Sequence, residues 1–217
     1  LPYFGPLLLL VVVGHSLLSR RGPLLPAAIA VAVICTLAGT TALRAYQWRN
    51  PLDLVGFEVR HRPESSRAHY EMGRLLNIAA ERGNQPDLNI EARKYLRRSA
   101  ELNHYAINGL IGEAILSQDA IPSDVLGMLI QRLRRNPLTP ADAIYLKALV
   151  ACQQKKTCRT PPNQILAVFG ATLSQSRLRP RVKADVLTVL GMYYAKQLGD
   201  VKACVDVMRE AALLTPD

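Results

Sequence analysis

The sequence predicts an all-α chain in which two N-terminal transmembrane helices precede an α-solenoid of degenerate helical hairpins. Three observations carry that expectation. Residues 1–45 are apolar and contain no Asp or Glu, only Arg20, Arg21 and Arg44 as charges. From Pro51 onward, runs of about a dozen residues with helical periodicity are punctuated by Pro, Gly and polar turns, and no alternating strand pattern persists. Within those runs Gly and Ala recur at spacings that let paired helices cross closely.

The 217 residues include 27 Lys and Arg against 17 Asp and Glu, a net charge of +10. Setting aside the three leader arginines leaves 24 basic and 17 acidic residues from Tyr46 on, a net +7. A greasy leader joined to a basic, water-compatible region excludes a plain soluble single domain, a collagenous or disordered chain and a disulfide-dense miniprotein. The roughly 170 residues beyond the leader suffice for one domain with its own core.

The leader, residues 1–45, reads as a membrane hairpin with helices over about 3–19 and 24–45. Leu24 to Leu43 is free of charge and long enough to cross a hydrocarbon core of about 30 Å. Arg20 and Arg21 sit in the turn between the two segments. The second segment is rich in Ala, Gly and Thr, which suits close packing against other membrane helices. A signal peptide would want a basic start and then a small-residue cleavage site, whereas here the basic pair follows the first apolar run. Residues 46–64 form an interfacial linker and first helix, opened by Tyr46 and Trp48, residue types that settle at a membrane–water boundary. The positive-inside rule does not decide orientation: Arg20 and Arg21 argue one way, and Arg44, Arg49, Arg60 and Arg62 the other.

The rest of the chain, 65–217, is expected to be repeats. The periodicity predicts helices over 51–62, 65–82, 88–103, 105–117, 123–135, 140–152, 162–175, 180–197 and 201–214. Tested against the 34-residue tetratricopeptide pattern, Met72-Gly73 with Leu76 fits a first helix. Ala92, Leu96, Ser99 and His104 stand at second-helix spacings, after an insertion holding Gly83-Asn84-Gln85-Pro86-Asp87. The clearest unit is the last, where Leu190-Gly191 with Tyr194, the turn Gly199-Asp200, and then Cys204, Met208, Ala211 and Pro216 follow in order. Gly112 with Val125, Leu129 and Pro137 makes a looser copy, and 140–175 is degenerate. Tyr70, Tyr95 and Tyr105 fit repeat cores.

Cys35 lies in the second apolar segment and Cys204 at a core position of the last helix. Cys152 and Cys158 flank Gln-Gln-Lys-Lys-Thr, a polar stretch between two helical runs. They read as a disulfide closing a short loop, which would favour a periplasmic or luminal domain; unpaired thiols or half of a zinc site are the alternatives.

The runs LPYFGPLLLL and RAYQWRNPLDLVGFEVRHRPESSRAHYEMGRLL resemble bacterial polytopic membrane proteins of the glycosyltransferase-C type. The resemblance is to the transmembrane-and-tetratricopeptide O-mannosyltransferase-like family. It rests on Pro2 and Gly5, on Arg44 and Trp48, and on Pro63, Ser65, Arg67, Ala68 and Gly73, and covers about residues 1–76. It implies a periplasmic or luminal repeat tail on a glycosyltransferase parent. The chain has no acidic residue before Asp53, so the family's catalytic acids map onto nothing here.

Within the chain no catalytic, cofactor or metal motif stands out. His15 is in an apolar segment, and His61, His69 and His104 pair with no Cys or carboxylate at ligand spacing. One Trp and three Phe give little stacking surface for nucleic acid. What remains is basic surface: Arg60, Arg62, Arg67, Arg74, Arg97 and Arg98 are the candidates for a partner or anion groove, with Arg132, Arg134 and Arg135 following. The expected function is a membrane-anchored tetratricopeptide scaffold of the bacterial inner membrane, docking a protein or peptide on the periplasmic side. Its other partners are the bilayer and an anionic glycan or lipid-linked sugar. The alternative is the acceptor-presenting tail of a lipid-linked-sugar transferase. Neither reading assigns a cofactor.

Overall fold

The computed structural model describes residues 24–215 apart from Gln118 and Arg177, and these form ten α-helices and a π-helical turn with no strand among them. The first expected membrane helix, over 3–19, lies outside the described residues, as do His15, Arg20, Arg21 and Pro216. The chain divides into two compact units, the first ending at Leu54 and the second beginning at Val55.

The first unit holds α1 (Leu24–Trp48), whose 25 residues span about 37 Å at the helical rise. The stretch Ala27–Tyr46 has a mean hydropathy of 1.7, and none of it is buried. Thr36 and Thr40 donate their hydroxyls back to the carbonyls of Ala32 and Leu37, at 2.8 and 2.9 Å. This hides their polarity within an apolar helix. Length and composition make α1 a candidate membrane span, a test that a signal sequence near an N-terminus also passes. Asn50 opens α2 (Pro51–His61): its Oδ1 accepts from the Leu52 amide at 3.1 Å, and its amide donates to Asp53 at 2.8 Å.

After the last seven residues of α2, the second unit continues with a helical hairpin, α3 (Ser66–Gly83) and α4 (Asp87–Leu102). Ser65 caps α3 by accepting from the Ala68 amide, and Asn84 ends it in the left-handed region at φ 49°. The apolar stripe Ala68, Met72, Leu76 and Ala80 packs on Ala92, Leu96 and Ala100. At the crossing, a Cβ on Gly73 would stand 2.7 Å from Leu96 Cγ and 2.9 Å from the Ala92 carbonyl oxygen, so only glycine lets these helices approach.

Then come α5 (Asn108–Leu116), α6 (Ser123–Arg135), α7 (Pro140–Gln154), α8 (Pro162–Leu173), α9 (Pro180–Tyr193), the π turn Tyr194–Leu198 and α10 (Val201–Leu214). Here helices stack mainly on the next but one: α5 on α7, α7 on α9, and α6 on α8. One apolar core runs through them, from Ala100 by Leu110, Leu129, Leu146 and Phe169 to Tyr193. The hairpin α9–α10 closes the unit, with Met208 and Val207 against Gly191.

Four expectations are corrected. Helix α5 starts at Asn108, not 105, because the Asn103 side chain accepts the amides of Tyr105 and Ala106, at 3.0 and 3.2 Å, and holds them in a turn. Gly112 faces back onto Leu96 of α4, not onto Val125 and Leu129 of α6. In the last repeat Tyr193 fills the core, while Tyr194, where the π turn begins, packs against it only in part. Cys204 is only half-buried.

Candidate functional site

Burial of one stripe of α3 against α4 turns the other side of α3 outward, with Arg67, Tyr70 and Glu71 upon it. Because α5 and α7 stack beside it in turn, their outward residues Asn108 and Tyr145 come alongside. The result is a groove of about 380 Å³ lined by Ser66, Arg67, Tyr70, Glu71, Asn103 and Tyr145, with Ala106 and Asn108. Three helices and the α4–α5 loop contribute to it.

The Tyr70 and Tyr145 rings meet edge to face, with centroids 6.0 Å apart and planes at 77°. Burial, then the neighbouring Tyr145 and Glu71, pushes the Tyr70 hydroxyl up to about 12, so it stays neutral and able to donate at physiological pH. The Ser66 hydroxyl is turned away to the Ser99 carbonyl at 2.9 Å. Groove donors are thus the Arg67 guanidinium, the Asn108 amide and the phenols; the acceptor is Glu71, which also holds Arg74 at 2.8 Å.

The six arginines singled out from sequence part company. Arg67 lines the groove, and Arg60 and Arg62 are exposed; none of these three has a carboxylate within ion-pair distance among the described residues. Arg98 is shared between Glu64 and Glu101, at 3.5 and 3.4 Å. Arg97 is a correction: it is internal mortar. Its Nε and Nη2 donate to Glu113 Oε1 at 3.1 and 2.7 Å, and its Nη1 donates to Asp124 at 2.6 Å. These bonds raise the Arg97 pKa and lower that of Asp124.

Arg132 is likewise withdrawn from the surface. Buried at the end of α6, it donates to the carbonyls of Ala100, Asn103 and Ala106, at 2.6, 2.9 and 2.7 Å. It thereby satisfies one orphan carbonyl in the last turn of α4, that of Ala100, and two in the loop that follows. Burial lowers its pKa. A long cationic side chain on an amphipathic helix gives no sequence sign of such a role. Tyr105, expected in a repeat core, is 78% exposed.

Two histidines are held by the backbone: His61 Nδ1 contacts the Phe57 carbonyl at 2.9 Å, and buried His69 bonds the Pro63 carbonyl through Nε2 at 2.8 Å. No group of three or more potential metal ligands gathers among the described residues. Two larger hollows, of about 570 and 510 Å³, run along the flanks of α4 and are lined mainly by its own residues, Arg98 among them. Cys152 and Cys158 are bonded, with Cα atoms 5.4 Å apart and both side chains buried. The loop they close holds Lys156 at φ 58°, and the Cys152 carbonyl accepts from the Thr157 amide at 2.9 Å. Compared with protein-family models, curated proteins and solved structures, the chain matches none.

Proposed function

We propose that this chain is a membrane-anchored helical-repeat scaffold of the tetratricopeptide kind, whose groove across α3, α5 and α7 docks an extended segment of a partner protein. The groove itself carries the proposal. Rigid phenols, an amide and an uncompensated guanidinium converge from three alternate helices, the mixture that grips a peptide backbone and its side chains. The glycine crossings at Gly73 and Gly191 support the repeat reading. The candidate span α1 supports anchoring, in the inner membrane of a bacterium. The Cys152–Cys158 bond supports placing the repeats in an oxidising compartment, the periplasm.

A random peptide library displayed on phage, selected against the full chain in detergent, tests this. Peptides enriched on the wild type lose about tenfold or more in affinity on Tyr145→Ala and Asn108→Ala. Lys155→Ala, at the far end of α7, leaves them unchanged. Peptides that bind all three variants alike, or no enrichment at all, would sink the groove reading.

A further inference from the structure

The net charge of this chain is concentrated in one stretch. Residues 125–184 hold eleven basic residues and a single acid, Asp142, while the rest of the chain holds 16 of each sign. That one acid is engaged in a helix cap, where its Oδ2 accepts from the Thr139 amide and hydroxyl, both at 2.7 Å. Like charges crowded this way repel, so the stretch carries a standing cost in stability.

The fold gathers much of this charge at one end of the second unit. Gln175, after α8, donates to the carbonyls of Leu133 and Asn136, with the Asn136 bond at 2.8 Å. Asn136 in turn donates to the His104 and Tyr105 carbonyls, at 3.2 and 3.4 Å. The α4–α5, α6–α7 and α8–α9 connections therefore lie side by side. They bring together Arg134 and Arg135 at the end of α6, Arg179 and Arg181 at the start of α9, and Tyr105. All four arginines are exposed, and none has a carboxylate within ion-pair distance among the described residues. Of the acids near this end, Glu64 and Glu101 are engaged by Arg98 and Glu210 by Lys183 at 2.7 Å, and Asp185, one turn past Arg181 on α9, is exposed and in no ion pair among the described residues.

Helix stability does not account for the arrangement. Cations suit the C-terminal end of α6, but at the N-terminal end of α9 the helix dipole disfavours them, and α9 has no acid in its first turn. The four are also all arginine, whose planar fork binds phosphate in a bidentate manner. Beside them Tyr105 stands out into solvent, the residue type that settles among lipid headgroups.

We infer that this edge is a docking surface for the phosphates of anionic phospholipids, with Arg134, Arg135, Arg179 and Arg181 as the phosphate ligands and Tyr105 at headgroup level. An acidic protein would be met as well by lysine and would give the exposed tyrosine no role. The inference rests on α1 residing in a bilayer, which puts such phosphates at high local concentration.

The test uses the full chain in nanodiscs of phosphatidylcholine, with or without roughly a third phosphatidylglycerol, read by hydrogen exchange. Anionic discs slow exchange in residues 103–107, 133–139 and 174–183 by about tenfold, and salt at about 0.5 M removes the effect. Replacing the four arginines together by Gln abolishes the slowing, Tyr105→Ser weakens it, and Lys155→Gln with Lys156→Gln at the opposite end leaves it intact. Equal exchange in the two kinds of disc overturns the inference, as does slowing that survives the fourfold variant. Slowing by soluble inositol hexakisphosphate but not by anionic discs overturns it in favour of a soluble polyphosphate. A chain that fails to co-elute with discs refutes the membrane reading and this inference with it, whereas co-elution without slowing refutes this inference alone.

Discussion

Replacing Arg97 by Met separates an internal ion pair from a groove cation. Glu113 is buried, with 4% of its side chain accessible, and both Arg97 bonds to it fall on Oε1, leaving Oε2 without a partner. Removing the guanidinium leaves a carboxylate in the interior with nothing to offset its desolvation, a change that costs about 3–5 kcal/mol. Because 31% of the Arg97 side chain is still accessible, water partly screens the pair, and the lower end, about 3 kcal/mol, is expected. Asp124 adds little: with 57% of its side chain accessible it behaves as a surface partner screened by water, and Asp124→Asn leaves stability close to that of the wild type. Replacing Arg97 and Glu113 together by Met removes both charges and returns stability to within about 1 kcal/mol of wild type. Urea unfolding of the full chain in detergent, followed by far-ultraviolet circular dichroism, measures all three. If Arg97→Met costs less than about 1 kcal/mol, or the double replacement is no better than the single one, Arg97 is a surface residue and the reasoning fails.

The same unfolding assay tests two glycines of opposite character. A Cβ on Gly109 would lie 2.7 Å from the Leu96 carbonyl oxygen and 3.1 Å from the Ala100 nitrogen, so Gly109→Ala costs about 1–3 kcal/mol. Gly127, in the middle of α6, has nothing within 4 Å, and Gly127→Ala gains about 0.5–1 kcal/mol; equal effects at the two sites would contradict the packing. Reducing the Cys152–Cys158 bond, which closes a separation of six residues, costs about 2 kcal/mol in the loop-entropy picture. In intact cells a membrane-impermeant thiol reagent labels both cysteines only after reduction; free labelling confined to permeabilised cells would put the domain in the cytoplasm. Above pH 10 stability falls: the folded pKa of Tyr70 lies above its ordinary value of 10.0, so its contribution is complete below pH 10 and lost as pH rises towards about 12. Tyr70→Phe flattens that alkaline limb, and an unchanged limb would show that the hydroxyl is not held as described.

The positions of the helices were legible because their boundaries are written in local chemistry. Ser65, Thr139 with Asp142, and Asp200 supply cap acceptors, and Pro140, Pro162 and Pro180 begin helices where the missing amide costs nothing. The close crossings were legible too, since Gly73 and Gly191 pack where their spacing to Leu96 and Met208 indicated. Partner choice was not. Gly112 packs on α4, the helix before it, so a repeat frame that pairs α5 with the helix after it points to the wrong neighbour. The groove was legible only through Arg67; Tyr145 and Asn108 lie far from it in sequence and join it through stacking.

The sequence by itself determined that the chain is helical, that an apolar span-length helix precedes a basic region, and, to within a few residues, where the helices of the described part start and stop. Those properties depend on composition and on neighbours within one or two turns. Tertiary structure alone decided which cations are surface and which are mortar. Arg97 and Arg98 are adjacent on one helix, yet Arg97 meets Glu113 and Asp124 across two others while Arg98 meets Glu64 and Glu101. Arg132 is buried on three carbonyls, whereas Arg134 and Arg135 stand in water within the same helical turn. A charge has the same chemistry at every position. Whether it is compensated depends on side chains brought near it through space, and the packing of the helices alone sets that.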